Sequence, residues 1–220
     1  MERSRVGIVI PAYNESASIG KIVEAVKDYG TPIVVDDGST DHTGRIAQNS
    51  GAIVIKHPVN HGYDAALNSG FKRAHELSCE IIITMDGDGQ HDAQLLQKFI
   101  EKIESGSIVV VGVRGRYQRF AEHFFALYTK YRFGIVDPLC GMKAYRISVY
   151  EELGYFDSYQ SIGTELIIFA AKRGCQIEQI PFEVRARSGK SRFGGIFYAN
   201  AKIFRALLMS FKVSINIRKC

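Results

Sequence analysis

Ile81-Ile82-Ile83-Thr84-Met85-Asp86-Gly87-Asp88-Gly89-Gln90 is the stretch on which the fold turns. Its first five residues form a short, β-branched apolar run that stops at an Asp/Gly turn, the pattern of a strand buried on both faces. Runs of the same kind occur at Val6–Ile10, Ile33–Asp36, Ala52–Lys56 and Ile108–Gly112. Helical spacing fills the gaps, over 17–29, 42–50, 63–77 and 92–104. The third of these places Ala66, Gly70, Ala74 and Leu77 on one face. Such alternation predicts an α/β, Rossmann-like architecture with a mostly parallel central sheet and helices on both faces. Ligands of these sheets gather beyond the carboxyl ends of the strands, and the polar motifs sit there.

Asp86 and Asp88 stand two apart where the chain turns, so both can face one cation. Hard oxygen donors suit Mg²⁺ or Mn²⁺, which keep positions open for water and substrate phosphate. Taken alone, D-x-D is also an ordinary turn. Here it has company. Pro11-Ala12-Tyr13-Asn14-Glu15 follows the first strand and Asp36-Asp37-Gly38-Ser39-Thr40-Asp41 the second, which predicts one shared rim. Tyr13 can pack on a base, and Asp37 can accept hydrogen bonds from a base N–H or ribose hydroxyls, with Asp36 left to structure. Asp41 suits a helix N-cap, and Asn14 and Glu15 suit capping and the first helical turn as well as binding. Asn60-His61-Gly62 leads into small residues (Ala65, Ala66, Gly70) that permit close approach of a nucleotide or serve packing alone. His61 is given no role.

The 220 residues fit one domain, divided into subregions 1–113, 114–194 and 195–220. The net charge of +5 hides a division: residues 1–113 hold 10 Lys+Arg against 15 Asp+Glu, residues 114–220 hold 18 against 8. A basic half suits an anionic partner such as nucleic acid, lipid headgroups or a phosphorylated substrate. It carries no recognised nucleic-acid motif, and its aromatics follow helical stripes, so no nucleic-acid partner is expected. The four scattered cysteines (Cys79, Cys140, Cys175, Cys220) predict free thiols in a reducing compartment. The apolar run after the N-terminus is too short for a signal peptide, and no stretch is long enough for a spanning helix.

The second half changes character. Residues 116–133 form a basic aromatic helix with Phe120, Phe124, Leu127 and Tyr131 on one stripe. A strand is expected over Gly141–Ile147, a helix over 162–173 and a strand over Gln176–Val184. Over 195–216 a second amphipathic helix aligns Phe197, Ala201, Phe204, Leu208 and Phe211, with Lys202, Arg205, Lys212 and Asn216 on another face. Helices of this kind suit a lipid interface, or else turn their apolar stripe to the core.

PAYNE, VVDDGSTD, N-x-G-x-x-x-A-x-N-x-G and MDGDGQH, in this order, resemble glycosyltransferase family 2 with its A-type nucleotide-sugar fold. Asp137-Pro138-Leu139-Cys140-Gly141-Met142-Lys143 resembles the D-x-x-x-G-[FM]-[KR] segment of its polyprenyl-phosphate branch, the dolichol-phosphate mannose synthase-like enzymes. Ile180-Pro181-Phe182 followed by Arg185, Arg187 and Gly189-Lys190-Ser191-Arg192 resembles a further segment of that branch. The resemblance spans residues 6 to 195. It departs at Asp92 (usually Pro), Cys140 (commonly Ser) and Arg192 (commonly Lys).

The resemblance implies that Asp86, Asp88 and Gln90 hold the cation and diphosphate, and that Pro11, Ala12, Tyr13, Glu15 and Asp37 hold the nucleoside. Arg114 and Arg185 or Arg187, with Ser191, would bind the phosphate of donor or acceptor; arginine suits that geometry. The implied reaction is inverting transfer from a UDP- or GDP-sugar to a polyprenyl phosphate, by a peripheral protein at the inner, cytoplasmic membrane face. Glu165 stands where relatives that use alcohol acceptors place a base. It keeps two alternatives alive: transfer to a saccharide hydroxyl, or a helix N-terminal residue without chemistry. A non-catalytic nucleotide-sugar-binding module is a further alternative, against which both aspartates argue. A homo-oligomer is compatible with the sequence.

Overall fold

The computed structural model describes residues 5–89, 92–117, 119–183 and 196–211. Along the chain come β1 (Val6–Ala12), α1 (Ile19–Val26), β2 (Thr31–Asp37), α2 (Thr43–Asn49), β3 (Ile53–His57), α3 (Tyr63–Glu76), β4 (Ile81–Thr84) and α4 (Leu95–Glu104). Then follow β5 (Val109–Arg114), α5 (Phe120–Phe133), β6 (Lys143–Arg146), α6 (Ile147–Leu153), α7 (Glu165–Lys172), β7 (Ile177–Phe182) and α8 (Ile196–Ser210). The seven strands form one sheet in the order β3-β2-β1-β4-β6-β5-β7. Pairing is parallel from β3 through β4 and between β5 and β7, while β6 runs antiparallel to both β4 and β5.

Alternation along the strands divides the core into two layers. Ile8, Ile10, Val34, Ile81 and Ile83 face one side, where they meet α1 and α4. Both helices present apolar residues at i, i+3, i+4 and i+7: Ile19, Ile22, Val23, Val26 and Leu96, Phe99, Ile100, Ile103. Val9, Ile33, Ile82, Val109, Val111 and Tyr145 face the other side, against α3, α5, α7 and α8. Each such side chain contributes about 1.5–3 kcal/mol on burial, which explains why the strands read as unbroken apolar runs.

The structure departs from the sequence expectations at α6, α7 and Cys175, and chooses between open readings at α3, α5 and α8. Ile147, expected to end the strand over Gly141–Ile147, instead opens α6, and Gly154 closes that helix at φ 85°. Helix α7 begins at Glu165, not 162, because Gln160, Ile162 and Gly163 all have positive φ. In α3, Ala66 and Gly70 serve packing: a Cβ on Gly70 would overlap Val9 of β1, and Ala66 is fully buried. Cys175 is disulfide-bonded, so the expectation of four free thiols fails there. Spacing along a chain carries no information on which sulfurs a fold brings together. Finally, the apolar stripes of α5 and α8 do not face the core. Phe120, Phe124, Leu127 and Tyr131 are exposed, as are Phe197, Phe204, Leu208 and Phe211, while Ala121, Phe125, Ile203 and Ala206 make the inward contacts. Lys212 and Asn216 lie outside the described residues.

Candidate active site

Three loops meet at the carboxyl ends of β1, β2 and β4, and hydrogen bonds stitch them together. Ser39 Oγ accepts from the Asn14 backbone N–H at 2.9 Å, and Thr40 N donates to Asn14 Oδ1 at 2.8 Å. Thr43 Oγ1 accepts from Glu15 N at 2.7 Å. Asp41 receives Ser16 N and Thr43 N. Burial works against the Asp41 charge, but hydrogen bonds from Thr43 and Ser16 prevail and bring its pKa down to about 2. Asp41 thus ties two loops together as well as serving the start of α2. The aspartate motif joins the same rim: Ser18 Oγ donates to Gly87 O at 2.9 Å, and Met85 N donates to Val9 O at 3.0 Å. Pro11 O and Ala12 Cβ lie 3.0 and 3.6 Å from the Cβ position of Gly87, and Ser18 links Glu15 to Gly87 O, so the loop that carries Tyr13 borders the aspartate motif.

Asp36 and Asp37 divide their work as the sequence suggests for Asp36 and less simply for Asp37. Asp36 accepts from Ser39 N at 3.0 Å, and a Cβ on Gly44 would stand 2.5 Å from its Oδ2. Asp37 is buried and receives the backbone N–H of His61 at 2.9 Å and of Gly62 at 2.8 Å. His57 Nδ1 lies 2.6 Å from the same carboxylate, and its Nε2 lies 2.9 Å from Ser69 Oγ. A carboxylate offers about four acceptor positions, so three donors leave room for one more. His57 and Ser69 are residues that sequence reasoning missed; nothing in their spacing marks them.

Around Asp86 the fit is close. Tyr63 Oη donates to Asp86 Oδ1 at 3.2 Å. On the other side, a Cβ on Gly141 would overlap Asp86 Oδ2 and lie 2.6 Å from its Cγ. Thr84 Oγ1 donates to Gly141 O at 2.7 Å and accepts from Lys143 N at 3.2 Å, which locks that stretch of β6 against β4. Lys143 is buried, with Nζ donating to Gly163 O at 3.2 Å; burial lowers its pKa, against the pull of nearby Asp137 and Asp86. Asp88 is also buried. Among the described residues no three His, Cys, Asp or Glu side chains cluster as a metal cage. Two carboxylates fit Mg²⁺ or Mn²⁺, which leave the remaining positions to water and substrate phosphate. Gln90 lies outside the described residues.

Of the residues expected on the acceptor side, only Arg114 and Glu165 lie among the described residues. Arg114 does not present its fork to the rim. Nε and Nη2 are held by the two oxygens of Asp137 at 2.8 Å each, and Nη2 also reaches Glu122 at 3.2 Å. Burial opposes its charge, but Asp137 more than offsets this and raises the pKa. Arg185, Arg187 and Ser191 lie outside the described residues. Glu165 is buried as the first residue of α7, with Ser158 N at 2.5 Å and Ser158 Oγ at 2.8 Å from its oxygens. Burial raises its pKa, partly countered by those bonds.

The loop before α7 is tied to the same neighbourhood. Asp157 accepts from Gln160 N at 2.6 Å and Ser161 N at 2.8 Å, and Asp64 from Gly163 N at 2.7 Å. Burial and the neighbouring Asp157 charge push the Asp64 pKa up to about 6. These bonds hold Ile162, a β-branched residue, at φ 60°, a conformation that costs on the order of 1–3 kcal/mol.

The glycosyl transferase family 2 model matches residues 7–154, which include the ends of β1, β2 and β4 that form the rim. The chain belongs to glycosyl transferase family 2. As a member of that family it is a glycosyltransferase. It is 28% identical over 200 residues to a dolichyl-phosphate hexose transferase of Haloferax volcanii, covering 85% of this chain and 86% of that one. It is 28% identical over 237 residues to a UDP-N-acetylglucosamine–dolichyl-phosphate N-acetylglucosaminyltransferase of Methanococcus voltae, covering 92% and 94%. Among solved structures it resembles glucosyl-3-phosphoglycerate synthase from Mycobacterium tuberculosis in complex with Mn²⁺ and UDP-glucose, with a TM-score of 0.77 at 23% identity over 96% of this chain and 80% of that one. At that identity the likeness speaks for the fold, the A-type glycosyltransferase architecture.

Proposed function

We propose that this glycosyltransferase moves a sugar from a UDP- or GDP-sugar to a polyprenyl phosphate, with inversion, using Mg²⁺ or Mn²⁺, at the cytoplasmic face of a membrane. The observation that carries the reading is the position of Asp86-Gly87-Asp88 at the end of β4, bonded directly to the loop of Tyr13 through Ser18 and linked to Asp37 through the adjacent residues Gly62 and Tyr63. The names of the two archaeal relatives support the acceptor class.

Asp86 and Asp88, with Gln90, would hold the divalent ion, whose charge offsets that building on the departing diphosphate. Pro11, Ala12, Tyr13, Glu15 and Asp37 would seat the nucleoside. A lipid monophosphate is already anionic near neutral pH, so the acceptor side must position it and balance its charge, not deprotonate it. That duty falls to Arg185 and Arg187, with Ser191. Arg114 would join them only by exchanging Asp137 for phosphate. The test is a panel of radiolabelled UDP- and GDP-sugars with a short-chain polyprenyl phosphate and Mn²⁺. Label should pass into organic solvent for one donor. Hydrolysis or transfer that leaves all label in water overturns the acceptor assignment.

A second reading, transfer to a saccharide hydroxyl, rests on the raised pKa of Glu165 as a base. Its carboxylate is nevertheless occupied by Ser158, which favours a structural duty. Glutamine can replace both bonds. Glu165→Gln is therefore expected to retain turnover within about threefold with a phosphate acceptor, whereas loss of a true base costs about a hundredfold or more. Steady-state rates of the variant decide between them.

The membrane reading rests on α5 and α8. Phe124 lies against Phe204 with ring centres 5.8 Å apart, and Tyr128 against Phe211 at 4.6 Å, so the two exposed stripes merge into one aromatic face. Tyr131 is 93% and Phe197 89% exposed. Lys130, Arg132, Lys202 and Arg205 belong to the same helices. Such a surface fits the headgroup region of an anionic bilayer. The double variant Leu127→Asp/Leu208→Asp should co-sediment with phosphatidylserine-containing vesicles at least about tenfold less than wild type. Equal binding by both rejects the docking face.

A further inference from the structure

We propose that Tyr63 is a positioning residue for Asp86, and that the Gly62-Tyr63 step joins the nucleoside pocket to the metal site. The inference rests on the reading of Asp86 as a metal ligand and goes beyond it, because no motif of the sequence assigns Tyr63 a task.

The geometry is local and specific. Gly62 caps α3 at φ 93° and ψ 167°, an extended left-handed-side conformation that glycine adopts without strain. Its N–H donates to Asp37 Oδ2 at 2.8 Å, and the preceding N–H of His61 donates to Asp37 Oδ1 at 2.9 Å. The next residue, Tyr63, opens the helix and reaches back with its phenol to Asp86 Oδ1 at 3.2 Å. Two consecutive residues thus bond the carboxylates that end β2 and follow β4. The Tyr63 ring is itself partly buried and packs against the core layer that holds Leu67 and Phe156.

Two neighbours bound the Asp86 carboxylate. The phenol bonds Oδ1, while the bare Cα of Gly141 lies against the carboxylate with no space for a methyl group, which would overlap Oδ2 and stand 2.6 Å from Oδ1. The carboxylate plane therefore has little freedom, and its remaining lone pairs are set before any ion arrives. A hydrogen bond from outside the coordination sphere that orients a ligand typically changes metal affinity or activity by about 10–100-fold when removed. Asp88 follows on a turn, so the orientation of Asp86 decides whether both carboxylates address one point.

The experiment is Mn²⁺ binding in the presence of UDP, measured by electron paramagnetic resonance of free Mn²⁺ on the full chain, for wild type and Tyr63→Phe. Phenylalanine keeps the ring and removes only the donor. The expected result is an apparent Mn²⁺ Kd raised about tenfold or more, with an unchanged melting temperature and a smaller fall in kcat at saturating Mn²⁺ than in apparent Mn²⁺ affinity. An unchanged Kd with tight wild-type binding overturns the role of Tyr63 and leaves the metal site standing. Absence of Mn²⁺ binding by wild type overturns both. A variant that loses affinity and melts at a much lower temperature also counts against positioning, since a structural defect then accounts for the loss.

Discussion

Asp88→Ala is expected to lower turnover at least about a hundredfold, equivalent to roughly 3 kcal/mol of lost transition-state stabilisation. The reason is differential. In the ground state the diphosphate bridges nucleoside and sugar, and a single carboxylate would still hold some of the ion. Charge on the leaving group grows as the sugar departs, so a site with one carboxylate fewer would stabilise the transition state less than the ground state. Asp88 lies in the turn after β4, outside the two core layers, so its truncation leaves the sheet intact. The circular dichroism spectrum should match wild type, and raising Mn²⁺ should restore only part of the rate. A variant with near-normal kcat removes the metal role from Asp88 and, with it, the catalytic reading of the motif.

Gly141→Ala has the second-largest expected effect, about 10–100-fold on turnover with a parallel loss of Mn²⁺ affinity. The added methyl would occupy the place of Asp86 Oδ2. Backbone retreat is resisted because Gly141 O receives the Thr84 hydroxyl and β6 is paired on both edges. The carboxylate must rotate, away from the Tyr63 phenol and from the point shared with Asp88. Overpacking also carries a stability cost of about 1–3 kcal/mol, visible in a thermal melt. Kinetics with a Mn²⁺ titration alongside that melt separate the two effects. Wild-type Mn²⁺ affinity in this variant would show that the Asp86 carboxylate tolerates displacement.

Much of the donor half was legible because its signals are local. A Val/Ile run that ends in a polar turn must be a strand end, and parallel order then places neighbouring loops on one rim. The Asp86, Tyr13 and Asp37 loops followed from this alone. What escaped depends on partners far apart in the chain. Arg114 reads as a cation ready for phosphate, yet Asp137, 23 residues later, takes its fork. Tyr63 reads as an unremarked first helical residue, because a phenol at that place signals nothing until β4 is beside it. The α5 stripe has the spacing of a core helix, but its smaller residues Ala121 and Ala126 and the ion-paired Glu122 are the ones turned inward. Periodicity finds a face and not its direction. The inserted strand β6 was predicted as a strand, but its antiparallel place between β4 and β5 is a matter of topology that no local pattern carries.

That placement has a consequence for how the enzyme is made. Strand β5 bonds to β6 and β7 alone, both of which leave the ribosome after it. A nascent chain that has just exposed Val109–Arg114 therefore holds a sticky apolar ribbon with no lateral mate, and must wait for later segments to be translated. The wait also governs function, since the wall that seats Asp86 comes with Gly141. A prematurely terminated product carries both aspartates and the Tyr63 phenol but lacks the backbone of Gly141 against which the Asp86 carboxylate lies.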